Sequence, residues 1–387
     1  MSKENTQPIE IESNFVIVDQ NEIELDGSDT GNDNEDGRIL KPFDPSKIRV
    51  ETKNTTMDVL IKRLRNKEID LAPDFQRRDD IWKDDVQSRL IESMLIKIPL
   101  PAFYMDATED NNWLVVDGLQ RLTTVRRFVI DGSLALSGLE FLSDLTDKRF
   151  SELPRSFQRR IEETEIVIYL IQPGTPPRVK FDIFRRINTG GAPLSSQEIR
   201  HALNQGKIIK KLELLADSQE FKKTTANGVS PKRMDDRECV LRFFAFTLKP
   251  PQDYAADNFD GFLNDSMAQL NQMSDEDLQK LSEQFLHTME IAFSLFGYDA
   301  FRKRYQRTSM RHPINKALFE SWSANLGQLS AAESNRLIEK KELLIDRFIT
   351  LMADRDFDIA VTQGTGAIKR VRLRFKRIQE IIKEVLA

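Results

Sequence analysis

Asp117, Gly118, Gln120 and Arg121 stand where an apolar strand pattern, Trp113-Leu114-Val115-Val116, gives way to a helical one. A chain that leaves a strand through glycine into a helix exposes backbone N–H groups and the positive end of the helix dipole. Gly118 can take backbone angles other residues avoid, and would let a ligand approach the main chain. Arg121 adds a fork of donors, and Thr123 and Thr124 add hydroxyls. That set suits phosphate or another oxyanion. Asp117 is the odd member, because a carboxylate repels phosphate unless it caps the helix, holds a metal or orients Arg121. The same residues read structurally as an Asp cap and a salt-bridged arginine, and the pattern alone leaves both open.

Two further stretches could supply polar groups to one pocket. In "PDFQRRDDIW" (73–82), Gln76, Arg77 and Arg78 lie in a proline-punctuated loop before a helix, with Phe75 and Trp82 as anchors. In "FDIFRRINTGGAPLSSQEIRHAL" (181–203), Arg185, Arg186 and Asn188 precede a Gly-Gly turn. "PLSSQE" then opens the next helix with a serine cap and a glutamate three residues on. Each has a plain structural reading as well, a packed loop and helix punctuation.

The elements that must position these residues follow from periodicity. Residues 47–52 read as a strand, and 54–69 as a helix capped by Thr55 or Thr56 with Met57, Leu60, Ile61 and Leu64 on one face. A second helix follows over 84–98, its stripe Val86, Leu90, Ile91, Met94 and Leu95. "AFYMDA" and "NWLVVD" read as neighbouring strands joined by a turn. A helix of about a dozen residues comes after Gly118, then a short strand near Leu134–Leu136, and a capped helix over 150–164. "EIVIYLIQ" (165–172) is the most strand-like segment. From about residue 205 nearly every segment reads as helix. The expected class is therefore α+β: a mixed domain over 45–215 and an all-α domain over 216–387, after an acidic leader at 1–44.

Composition fits a globular protein, with 40% hydrophobic and 31% charged residues. The net charge of −5 is unevenly spread, since residues 1–44 carry 12 acidic and 3 basic residues. That leader has no apolar periodicity and is expected to be disordered, either as a solubilising tail or as an acidic arm competing for a basic surface. No apolar run is long enough to span a bilayer. No secretory signal is evident either, which leaves the cytoplasm as the default location. One cysteine, Cys239, excludes an intramolecular disulfide, and three scattered histidines argue against a zinc site. There is no G-x-x-x-x-G-K-[ST] loop, and His312 is the sole hint of a histidine-dependent nuclease.

"DFQRRDDIW…IESMLIKIPLPAFYM", "VVDGLQRLTTVRRF" and "FRRINTGGAPLSSQEIRHAL", in this order, resemble the N-terminal domain family of GmrSD-type restriction proteins, over roughly residues 55–205. The resemblance implies a ParB-like, sulfiredoxin-related fold and a role in prokaryotic defence against phage or modified DNA. In that family an Asp-Gly-Gln-Gln-Arg motif is tied to nucleotide binding and hydrolysis, and it falls here on Asp117, Gly118, Gln120 and Arg121. Leu119 stands where the family usually has Gln, which leaves hydrolysis open more than binding. The resemblance thus implies a nucleoside triphosphate with Mg²⁺ beside Asp117, Gln120 and Arg121. Gln76, Arg77, Gly118, Thr123, Thr124, Arg185 and Asn188 would surround the nucleotide. DNA and a partner nuclease are the expected partners. The rival expectations are a non-catalytic DNA- or protein-binding module of the same fold, and a metal-dependent nuclease using carboxylates around Asp117.

A last basic stretch, "IKRVRLRFKRIQEIIKEV" (368–385), places Ile368, Val371, Phe375, Ile378, Ile382 and Val385 on one helical stripe. Lys369, Arg370, Arg372 and Arg374 would then form a basic face able to track a phosphate backbone. The alternatives are a solvated charged face, or a strand over "VRLRF" followed by a helix.

Overall fold

A computed structural model of the chain describes residues 48–71, 82–109, 112–187, 194–254, 258–308 and 310–387. The acidic leader, and with it the expectation of disorder there, lies outside the described residues.

Five strands form one mixed sheet: β1 (Val50–Thr56), β2 (Ile69–Asp70), β3 (Phe103–Glu109), β4 (Asn112–Asp117) and β5 (Glu165–Ile171), in the order β1-β5-β3-β4-β2. β3 and β4 make the expected antiparallel hairpin, whereas β5 runs parallel to β3 and antiparallel to β1. β1 starts near the expected position but extends to Thr56, because it pairs along the whole of β5.

Alternation along the strands gives the sheet two apolar faces. Phe103, Met105, Val115, Ile166, Ile168 and Leu170 bury one face against α1 (Met57–Arg65), α2 (Asp84–Leu95), α3 (Leu119–Val125) and α4 (Arg155–Glu162). On α1 the buried residues are the four read from the sequence, Met57, Leu60, Ile61 and Leu64. On α2 the buried set includes Gln87, Ser88 and Glu92 as well as Ile91, Met94 and Leu95. Glu92 is inside because its carboxylate accepts from the backbone N–H groups of Glu140, Phe141 and Leu142. Those bonds hold its pKa below the usual carboxylate value against the opposing effect of burial.

Val116 and Ile171 bury the other face against α5 (Pro177–Ile187) and α6 (Ser196–Leu203), through Phe181, Phe184 and Ile199. α6 has the capping box read from the sequence, Ser195 with Glu198. The segment at Leu134–Leu136 is not a strand. Both leucines are buried without strand pairing, and Leu136 instead exchanges backbone hydrogen bonds with Asp147 and Lys148. The expected helix at 150–164 is split, a 3₁₀ turn at Phe150–Glu152 preceding α4, because Pro154 cannot continue the backbone bonding.

The rest is helical. α7 (Lys207–Ala216), α8 (Gln219–Thr224), α9 (Asp235–Leu248), α10 (Phe259–Gln272) and α11 (Asp275–Phe296) come first. α12 (Lys316–Leu326), α13 (Ala331–Glu339), α14 (Lys341–Met352), α15 (Arg355–Thr362) and α16 (Ile368–Leu386) complete the chain. They share one apolar core that begins at Ile208, so α7 already buries Ile208, Leu212 and Leu215 in the helical half. α16 is a single helix rather than a strand and a helix, and its stripe from Val371 to Val385 is buried as expected. Among the described residues no helix is long and apolar enough to cross a membrane.

Candidate functional site

β4 ends in a bulge: Met105 pairs with Val115, but Tyr104 pairs with Asp117, so the register skips Val116. Val116 and Asp117 therefore both oppose Tyr104, and the bulge re-aims the Asp117 carboxylate at the strand end. Tyr104 stacks on Tyr169 of β5 with ring centroids 4.8 Å apart. Burial, then Tyr169 and Asp117, raise the pKa of its hydroxyl. These two half-buried tyrosines were not singled out in the sequence, because only the β3–β5 pairing brings them together.

Gly118 turns the chain at φ +100° and precedes α3. It is buried, and a Cβ there would lie 2.4 Å from Cδ1 of Phe103 and 3.3 Å from Nη2 of Arg121. The expectation that Gly118 admits phosphate to the backbone is thus corrected, because the Phe103 ring fills that space. Arg121 is buried too. Its Nη2 donates to Asp117 at 2.8 Å and to the Ala102 carbonyl at 3.1 Å, and its Nη1 donates to the Pro101 carbonyl. Desolvation lowers its pKa, opposed by Asp117. Asp117 orients Arg121 through Oδ2, and the guanidinium ties the turn to the start of β3.

Thr124 leaves the candidate set as well, because it is fully buried and its Oγ1 donates to the Gln120 carbonyl within the helix. Thr123 is half-buried. The helix of about a dozen residues is present but changes register, α3 passing into a π-helical turn at Arg126–Ile130. Arg127 on that turn donates to Asp84 and Gln87 of α2, both at 2.9 Å.

Gln76, Arg77 and Asn188 lie outside the described residues, but the chain flanking them is informative. Trp82 donates its backbone N–H to Oε1 of Gln120 at 3.3 Å. At the start of that segment Leu71 packs on the first core, and Asp70 pairs with Leu114 of β4. Leu194, just beyond the Gly-Gly stretch, shares an apolar cluster with Leu114, Leu119, Ala202 and Met234. The described ends of the first and third stretches therefore both reach the first turn of α3. Leu119 is an apolar rivet there, half-buried between α3 and α6.

Arg185 does not join Arg121. It lies 3.7 Å from Asp260 of α10 and 3.9 Å from Asp182, whose pKa burial raises. Asp260 also binds Arg200 of α6, and from there an ionic chain crosses the helical half. Arg200 pairs with Glu238 at 3.0 Å, Glu238 with Arg242, Arg242 with Glu320 at 3.0 Å, and Glu320 with Arg374. Lys316 joins at Asp235 and Glu238. Four cations thus meet four carboxylates. Burial would raise the pKa of Glu238, but Lys316, Arg242 and Arg200 hold it far below the carboxylate range. Sequence reading missed this network because its members come from five helices.

The network corrects one DNA-binding assignment. Arg374 is fully buried and donates to Glu320 and to the carbonyls of Ala360 and Thr365. Lys369 and Arg372 are exposed, Arg370 is half-buried, and Arg372 donates to the Tyr254 carbonyl at 3.1 Å. Among the described residues no group of three or more His, Cys, Asp or Glu could hold a metal ion. Asp117 is the carboxylate at the turn, and it accepts from Arg121 through Oδ2. A magnesium ion carried on a polyphosphate needs only one or two protein carboxylates, so Oδ1 could serve one.

Residues 60–204 match the family described as the GmrSD restriction endonuclease, N-terminal domain. No curated protein matches the chain at a significant level. The match spans strands β2 to β5, most of α1, helices α2 to α6 and all three stretches discussed above, and leaves β1 outside.

Proposed function

We propose that this chain, whose residues 60–204 form a GmrSD restriction endonuclease N-terminal domain, is a nucleotide-binding, DNA-associated protein of a restriction-type defence system. The observation that carries the reading is the meeting of three stretches near one turn, through Trp82 on Gln120 and the apolar cluster of Ala202 and Met234 on which Leu194 and Leu119 both pack. In this reading Gln76, Arg77 and Asn188 also bind the nucleotide. Gln120 and Thr123 contact its phosphates, and Asp117 carries its Mg²⁺ through Oδ1. The stacked Tyr104 and Tyr169 offer an aromatic surface of the kind on which a base stacks. A ParB-like ancestry of the sheet belongs to the same proposal, as does a partner nuclease.

One observation favours binding without turnover. Arg121 is held by Asp117 and two backbone carbonyls, which keeps its guanidinium from following charge that develops on a transferring phosphoryl group. Calorimetric titration with each of the four nucleoside triphosphates and Mg²⁺ tests the binding. Saturable binding that Gln120→Ala weakens by about tenfold supports it. No saturable binding of any of the four refutes it. Phosphate release measured with and without DNA separates a hydrolase from a binding module.

A further inference from the structure

The segment between α11 and α12 folds into a small cleft lined by Asp299, Lys303, Arg304, Arg311 and His312 among others. Arg302 builds the cleft from beneath, donating to the carbonyls of His312 at 2.6 Å and Thr225 at 3.0 Å. Arg304 and Arg311 both face one carboxylate, Asp299, at 3.9 and 3.5 Å. Two guanidiniums sharing one carboxylate at that range leave the cleft cationic. Arg307 is different, being clamped by Glu342 and Asp346, and it contributes little positive field.

Large apolar side chains are exposed around the same cleft. Tyr298 is 52%, Tyr305 44% and Met310 90% exposed, the last being the most exposed large hydrophobic among the described residues. The Arg311 guanidinium lies 5.8 Å from the Tyr298 ring centre, and Tyr305 meets His312 edge to face. The cleft also adjoins the basic start of α16. Lys303 donates to Oγ1 of Thr362 at 2.9 Å, and Arg370 to the carbonyl of the next residue, Gln363, at 2.6 Å. One turn between α15 and α16 thus joins the two basic patches.

We infer that this surface binds single-stranded nucleic acid, with the backbone running from Lys369 and Arg370 over the turn between α15 and α16 to Arg304 and Arg311. Bases stack on Tyr298 and Tyr305. A purely phosphate-tracking surface needs no exposed rings, whereas cations interleaved with aromatics are what an unpaired strand requires. A duplex keeps its bases stacked inside and cannot use the rings. The inference gives the DNA association proposed above a surface and a strand form, and it is independent of any nucleotide at Asp117.

Fluorescence anisotropy of the full chain with a labelled oligo-dT and with a duplex of equal length, without nucleotide, tests it. Oligo-dT is expected to bind more tightly than the duplex. Tyr298→Ala with Tyr305→Ala should weaken oligo-dT binding by at least fivefold and change duplex binding by less than twofold. Arg311→Glu, at a half-exposed position, should weaken oligo-dT by about tenfold and flatten the salt dependence, with the melting temperature of the chain unchanged. Equal affinity for duplex and oligo-dT, or unaltered binding in folded tyrosine and arginine variants, would overturn the inference. Displacement of oligo-dT by polyglutamate at equal charge would do so too. Loss of nucleotide binding at Asp117 leaves these readouts untouched, so the two proposals fail separately.

Discussion

The Arg121 guanidinium lies 4.4 Å from the centre of the Phe103 ring, and the same ring covers Gly118. The turn that carries Asp117, Gln120 and Arg121 is therefore closed from inside by the first residue of the neighbouring strand. Its glycine is required by packing and by a left-handed backbone.

Gly118→Ala follows directly. The substitution strains the backbone at φ +100° and drives a methyl group into Phe103. The two effects together should destabilise the fold by about 2–4 kcal/mol, read as a lower urea midpoint. Adding Phe103→Leu should cost less in the Gly118→Ala background than alone, with a coupling of at least about 0.5 kcal/mol. Strict additivity would show that the ring does not exclude the Cβ.

Arg374 and Glu320 are both fully buried, so breaking their pair strands a charge. Arg374→Met should destabilise by about 3–5 kcal/mol in equilibrium unfolding. Arg374→Lys should recover only part of this, since one ammonium cannot replace the planar fork that also reaches Ala360 and Thr365. By contrast, Lys369→Glu with Arg372→Glu should leave the urea midpoint within about 0.5 kcal/mol of the parent. It should also reduce the salt slope of DNA binding by about two.

The contrast between these residues shows what the sequence could convey. Stripes on α1 and α16, the β3–β4 hairpin and the Ser195–Glu198 cap are local, and periodicity or spacing encodes them. Arg374 looked like a member of a basic face because its partner, Glu320, is 54 residues away and on another helix. Gly118 looked like a ligand cradle because nothing local announces that Phe103 will fill it. Tyr104 and Tyr169 meet only through a parallel pairing that no short window contains.

Asp236, in the first turn of α9, supplies a pH dependence. Burial raises its pKa from 3.8 to about 6, although its bond from the Arg237 N–H and the Arg237 charge act the other way. The folded carboxyl thus binds its proton more tightly than the unfolded one. Stability from this group is full below about pH 3.8, falls as pH rises to about 6 and is absent above. Asp236→Asn should therefore stabilise the chain at pH 7 by about 1–2 kcal/mol, the helix dipole reducing the gain. Urea titrations at pH 7 and at pH 3.5 check this, and the gain should vanish at the lower pH.

Leu119 separates the two readings of the site. It packs with Leu114, Leu194, Ala202 and Met234, so Leu119→Gln gives up half-buried apolar contact and should cost about 1–2 kcal/mol. The substitution also places a second side-chain amide beside Gln120. If the missing amide is what limits chemistry, Leu119→Gln should raise nucleoside triphosphate hydrolysis at least tenfold while nucleotide affinity stays within twofold. If the Asp117–Arg121 lock is limiting, hydrolysis should stay at the parent level despite intact binding. Phosphate release under saturating nucleotide distinguishes the two outcomes. An unchanged urea midpoint would show that Leu119 is not the rivet between α3 and α6.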